Sequence, residues 1–292
     1  QIYGYTRWNH HDFKSSITGY FERRHHTHIE EDWILYSPTV MYSVSLLIRL
    51  LSQPHDKVLT MNPMYDAFIN VIKENDRELL SHHLIKEEGT FKIDFDVFEK
   101  QAQESALLLL CSPHNPTGRI WSDEEMHRMI QICKKYQVKI ISDEIHMDIR
   151  IKDAKHHPLM KYYDEYKEIF TASSSSKTLN TPGLIGSYVI IPDEKIRDEF
   201  LGVTRRRDFL NSASIFGMYA TMIGYTECDD YINQLNEYIR GNMELVENFI
   251  RDELKDFKFQ RPEATYLAWI DARDVPFTSD EIQDALVNVG GV

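Results

Sequence analysis

The 292 residues, 42% of them hydrophobic, are enough to bury a large core. Thirty-three Lys and Arg against 46 Asp and Glu leave a formal charge of −13, which argues against general binding of nucleic acid or anionic membrane. No run reaches the roughly eighteen apolar residues of a membrane helix. The start, "QIYGYTRWNH", has neither a signal peptide's basic-then-apolar pattern nor a methionine, and three dispersed cysteines (Cys111, Cys133, Cys228) imply reduced thiols in a cytoplasmic protein.

From residue 33 to about residue 190, short apolar runs alternate with helical patterns. The runs predict strands at "WILY" (33–36), "KVLTM" (57–61), "ALLLLC" (106–111), "VKIIS" (138–142), "EIFTA" (168–172) and "GSYVII" (186–191). Several are apolar throughout, as strands covered on both faces are. The first helix, in "SPTVMYSVSLLIRLLSQ", is expected to use Ser37 as N-cap and Pro38 as first residue, with Val40, Val44, Leu47 and Leu51 on its buried face. "SDEEMHRMIQICKKYQ" places Ser122 and Glu125 in capping-box spacing, with Met126, Met129, Ile130 and Cys133 buried. This rhythm predicts an α/β fold, a mostly parallel sheet sandwiched by helices. A long helical pattern over about 210–255, a strand in "ATYLAWIDAR" (264–273) and an amphipathic helix in "TSDEIQDALVNVG" (278–290) suggest an incomplete smaller α+β domain. The expected divisions are an N-terminal segment 1–32, a large domain 33–240 and the start of a small domain 241–292. The histidines of "RRHHTH" (23–28) lack the i, i+4 spacing of a helical zinc site, so a solvated turn and no metal are expected. "RRRD" (205–208) is a candidate anion contact.

In an open parallel sheet, ligands bind where strands end at their carboxyl edge. After "ALLLLC", the loop "SPHNPTG" delivers Asn115; after "VKIIS", "DEIHMD" delivers Asp143; after "EIFTA", "SSSSK" delivers Lys177. An amide, a carboxylate and an amine thus reach one edge. Pyridoxal 5'-phosphate asks for that set: a lysine to hold it as an imine, an acid to keep its ring nitrogen protonated, an amide donor to its ring oxygen, and a phosphate cradle. The serine run and the helix start around Ser37–Val40 can supply the cradle.

These motifs resemble those of the fold-type-I pyridoxal-phosphate enzymes, the aspartate aminotransferase (class I/II) superfamily. Within it, "YGYTRW", "NPMYDAF" and "SDEIHMDI" are most similar to the cystathionine β-lyase branch of the MalY/PatB type. The resemblance covers nearly the whole chain, with the motifs in family order. It implies that Lys177 is the imine lysine, Asp143 the partner of the pyridine nitrogen and Asn115 the donor to the ring hydroxyl. Tyr65 would stack on the ring, and Thr39, Val40, Ser174 and Ser176 would hold the phosphate. Tyr5 would reach the phosphate of a neighbouring subunit in a homodimer with shared sites, with residues 1–32 at the interface. His146 stands where transaminases carry a tyrosine near the ring hydroxyl, a departure that fits the lyase branch.

The resemblance implies a carbon–sulfur β-lyase cleaving cystathionine or related cysteine S-conjugates to pyruvate, ammonia and a thiol, with a small amino-acid substrate. An aminotransferase uses the same three residues and is the alternative; a cofactor-binding regulatory protein is a rival of another class. No arginine follows Arg273. The substrate-carboxylate arginine that related enzymes carry late in the small domain is therefore expected beyond this chain's end, and the chain is expected to be incomplete.

Overall fold

The computed structural model describes residues 5–6, 9–87, 89–151, 153–210 and 212–291. Its elements are α1 (His11–His25), β1 (Ile34–Ser37), α2 (Val40–Leu51), β2 (Lys57–Asn62), α3 (Asp66–Lys73), β3 (Glu78–His83), β4 (Ile85–Glu87), β5 (Thr90–Lys92) and α4 (Phe95–Ala102). They continue as β6 (Leu107–Cys111), α5 (Asp123–Tyr136), β7 (Lys139–Asp143), β8 (Ile169–Ser173), β9 (Ser187–Ile190), α6 (Glu194–Leu201), α7 (Ile215–Glu227), α8 (Asp229–Glu253) and α9 (Ser279–Asp284).

Seven strands form one sheet in the order β1-β9-β8-β7-β6-β2-β3. Neighbours from β8 through β3 are parallel, whereas β9 is antiparallel to both β8 and β1. Two reversals restore direction, so β1 runs the same way as β8 and only β9 is opposed. The all-apolar strands are explained by cover on both faces. In β6, Leu108 and Leu110 pack toward α1, α4 and α5, while Leu107, Leu109 and Cys111 face α2, α3 and α6. Alternate residues thus feed two separate cores, the period-2 signature of a strand.

All six expected strands are present, displaced by at most one residue at either end. Three strands escaped the sequence pattern: β3, a polar strand at the sheet edge, and the small antiparallel β4–β5 hairpin. The α5 capping box forms as expected, and its four predicted residues are buried. At α2 the cap is corrected. Thr39, not Ser37, is the N-cap, its side chain accepting from Tyr42 N, and Val40 is the first helical residue. Ser37 is held in the sheet instead, its carbonyl accepting from Ser187 Oγ at 2.9 Å.

The long helical pattern is two helices, α7 and α8, broken at Cys228. Helix α8 runs without interruption through residue 240. "ATYLAWIDAR" is not a strand. It pairs only at isolated bridges, Ala264 with Arg150 and Asp271 with Lys258, because the backbone turns through a left-handed Thr265 with φ 68°. The last helix begins with a Thr278–Glu281 capping box and loosens into a π-turn over Ala285–Val289, leaving Leu286, Val287 and Val289 exposed. The solvated-turn reading of "RRHHTH" holds only in part, since Arg23–His25 close α1 and Thr27 is buried. His25 ends α1 with its ring buried, Nε2 standing 3.3 Å from Asp148 Oδ1.

Candidate active site

The carboxyl ends of β1, β2, β6, β7 and β8 meet the start of β9 around one cavity of about 370 Å³. Nine of the ten expected site residues line it: Thr39, Val40, Tyr65, Asn115, Asp143, His146, Ser174, Ser176 and Lys177. Tyr5 does not. It is 98% exposed and borders a different hollow beside α7; Tyr3 and Gly4, which complete its motif, lie outside the described residues.

Each side chain arrives by a local device. Thr39 extends out of β1 and caps α2, accepting from Tyr42 N at 3.1 Å. This aims the first-turn N–H groups of α2 at the cavity, where the helix dipole favours an anion. In the 205–208 segment, Arg207 and Tyr42 of α2 both donate to Asp208. The four serines at the end of β8 and just after it divide their work. Ser173 Oγ donates to Glu144 O, Ser174 Oγ donates to Gly186 O at 2.5 Å while accepting from Ser176 N, and Ser175 Oγ pairs with Thr221. Ser176 is left facing the cavity beside Lys177.

Asp143 ends β7, buried, with Oδ1 accepting from Ile145 N. Burial raises its carboxyl to about 7, against the lowering influence of Ile145 N and of Lys177. Burial, aided by Lys177, drives the His146 imidazole down to about 4. Its ring meets Tyr266 edge-on at 5.6 Å, and its buried Nδ1 has no hydrogen-bond partner among the described residues. Behind Lys177, Thr178 donates to Asp148 at 3.0 Å, and Tyr20 donates to the same carboxylate at 2.6 Å. Burial alone would raise the Asp148 carboxyl, but His25, Tyr20 and Thr178 together hold it below the usual range. The lysine's loop is therefore anchored to the helix α1 face of the sheet.

Sequence reasoning missed several lining residues: Cys111, Ile185, Gly186, Ser187, Tyr266 and Leu267. Cys111 ends a predicted strand opposite Asp143, so its place was legible. Tyr266 and Leu267 were not, since they reach the cavity from a segment read as a strand of a separate domain.

This arrangement sets an amine, a buried acid, an amide and a helix N-terminus around one hollow. The sequence pattern described as "Aminotransferase class I and II" matches residues 1–292. The chain belongs to the class I and II aminotransferase family. Within this family it is 33% identical over 288 residues to Protein MalY of Escherichia coli (strain K12), covering 98% of this chain and 73% of MalY. It is 31% identical over 294 residues to cystathionine beta-lyase PatB of Bacillus subtilis (strain 168), covering 100% of this chain and 76% of PatB. The fold also matches the crystal structure of the PLP-bound C-S lyase from Staphylococcus hominis. The TM-score is 0.92 at 28% identity, over 98% of this chain and 74% of that one. As an aminotransferase-family chain, it places its site at the sheet edge that the strand order predicts.

Proposed function

We propose that this chain is a pyridoxal 5'-phosphate-dependent carbon–sulfur β-lyase. L-Cystathionine or a related cysteine S-conjugate would be its substrate, with pyruvate, ammonia and a thiol as products. The observation that carries the reading is the convergence of Lys177, Asp143 and Asn115 on one cavity in a chain related to PatB. The residues fit the cofactor. A carboxyl raised to about 7 by burial is one that a cationic ring nitrogen would return to its ionised form. The buried, unpartnered Nδ1 of His146 asks for a polar neighbour. The start of α2 and the Ser176 hydroxyl suit a phosphate.

When bound, pyridoxal phosphate supplies an electron sink for negative charge at the substrate's α-carbon. The Lys177 amine would hold the cofactor and, once the substrate's amine takes its place, remove the α-proton as general base. Asp143 would keep the ring nitrogen protonated, Asn115 would donate to the ring hydroxyl, and Tyr65 would lie against the ring. Thr39, Val40, Ser174 and Ser176 would hold the phosphate; Ser174 Oγ already donates to Gly186 O, which leaves Ser176 the freer hydroxyl. Loss of the α-proton and the β-thiolate, followed by hydrolysis with one water, gives pyruvate and ammonia.

Tyr5, exposed and apart from its own chain's cavity, would serve the neighbouring subunit of a homodimer, with residues 1–32 at the interface. Residues 33–240 would form the cofactor-binding body and 241–292 the start of the small domain. Among the described residues no helix is long and apolar enough to cross a membrane, and free cysteines would suit a cytoplasmic place. The family also makes an aminotransferase the second reading. Incubating the full-length protein with L-cystathionine decides between them. Pyruvate, ammonia and homocysteine should appear without any oxo-acid; turnover only in the presence of an oxo-acid would give the site to transamination.

A further inference from the structure

We propose that Tyr266 is a specificity-determining residue whose ring forms the wall against which the substrate's sulfur substituent rests. The inference rests on the carbon–sulfur lyase reading above. Tyr266 belongs to no helix or strand, yet its segment is fastened to the loops that carry the site. Glu263 N and Ala264 N both donate to Gly118 O, Ile151 N donates to Glu263 O at 2.8 Å, and Thr265 N donates to Ile149 O at 3.0 Å. The Glu263 carboxylate accepts from Arg119 Nη1 at 2.7 Å and from Ile120 N at 2.8 Å, while Arg119 also grips Glu125. The loop delivering Asn115 and the segment delivering Tyr266 are thus one mechanical unit.

The bend that turns Tyr266 inward is itself unusual. Thr265 is a fully buried β-branched residue at φ 68°, a region such residues avoid and one that persists only where the surroundings enforce it. Its own Oγ1 accepts from Leu267 N across the bend. The outcome is a tyrosine that is 40% exposed, lining the same cavity as Lys177 and braced edge-on by the His146 ring. The ring, fixed edge-on against His146, is the part of Tyr266 whose position the site sets. A polarizable thioether packs well at an aromatic ring, whereas a single-atom leaving group gains little from one.

The test compares wild type with Tyr266→Ala and Tyr266→Phe, measuring pyruvate release from L-cystathionine and from β-chloro-L-alanine. The ratio of kcat/KM for the two substrates should fall about ten- to a hundredfold in Tyr266→Ala, chiefly through KM for cystathionine, and return in Tyr266→Phe. A parallel loss on both substrates, or an unchanged ratio, overturns the proposal. Should Tyr266→Ala fail to fold, Tyr266→Leu makes the same comparison. Should wild type release no pyruvate from either substrate, the lyase reading falls on its own. Absorbance titration of the cofactor-loaded proteins with the same two amino acids then tests the same split in affinity, and equal shifts would overturn the proposal.

Discussion

The amine of Lys177 and the carboxyl of Asp143 line one cavity, and their chemistry can be tested apart. Borohydride treatment of the cofactor-loaded protein, followed by peptide mapping, should place the pyridoxyl label on Lys177; a label on any other lysine ends the site assignment. Asp143→Asn removes the charge but keeps the shape. It should retain cofactor while lowering kcat by about a hundred- to a thousandfold, the scale of losing one electrostatic partner. Near-normal turnover in that variant would take Asp143 out of the mechanism. Lys177, Asp143 and Asn115 were legible in the sequence because each comes at or just after the end of a short, apolar-rich run, which marks both a strand and where it ends. Tyr266 was illegible for the opposite reason. Its direction depends on a left-handed Thr265 held by Ile149 O, a contact 116 residues away that no local pattern announces.

At the scale of elements, strand and helix identities followed from periodicity, while caps and breaks did not. Ser37 and Thr39 are both good N-cap residues; the choice falls to Thr39 because β1 pairing with β9 extends through Ser37. Cys228 breaks a pattern whose polarity alone does not show the break. The joint between the Asn115 loop and the Tyr266 segment turns on Gly118. Its φ is +67°, and a Cβ there would meet Pro262 Cβ at 2.3 Å and Ala264 O at 2.6 Å. Gly118→Ala should therefore cost about 1–3 kcal/mol of stability and release residues 262–267 from the large body. Urea midpoints and limited proteolysis would show both, and an unaltered cleavage pattern would mean that the joint does not depend on close approach. In β6, Leu109→Ala should cost about 2–5 kcal/mol, as a fully buried leucine facing a packed helix layer does; a urea midpoint close to wild type would contradict the two-core account.

For the whole molecule, buried histidines and one buried acid pull stability in opposite directions. His114, held at about 3 by burial, and His146, held at about 4, stay neutral while their unfolded counterparts protonate near 6.5. Their contribution is lost as pH falls from about 6.5 toward those values. Burial lowers His25 and His82 in the same sense. Asp143, raised to about 7, works the other way, its contribution being lost as pH rises from about 4 to 7. The histidines outnumber it, so the cofactor-free protein should weaken between pH 6.5 and 4, by about 1.4 kcal/mol per pH unit for each net proton. Asp143→Asn should fall more steeply, because the opposing group is gone. Guanidinium midpoints at pH 6.5, 5 and 4 check both slopes; a flat profile in wild type would mean the histidines are not buried neutral. The sheet order also has a meaning in time. Strand β1 pairs with β9 alone, Ile34 against Ile190, and it leads into the helix start that borders the cavity. During synthesis at about 5–20 residues per second, β1 leaves the ribosome roughly 8–30 s before its partner β9 exists. The N-terminal strand is made first yet can be seated only when β9 arrives, and the cavity it borders is completed later still, when Tyr266 and Leu267 reach it.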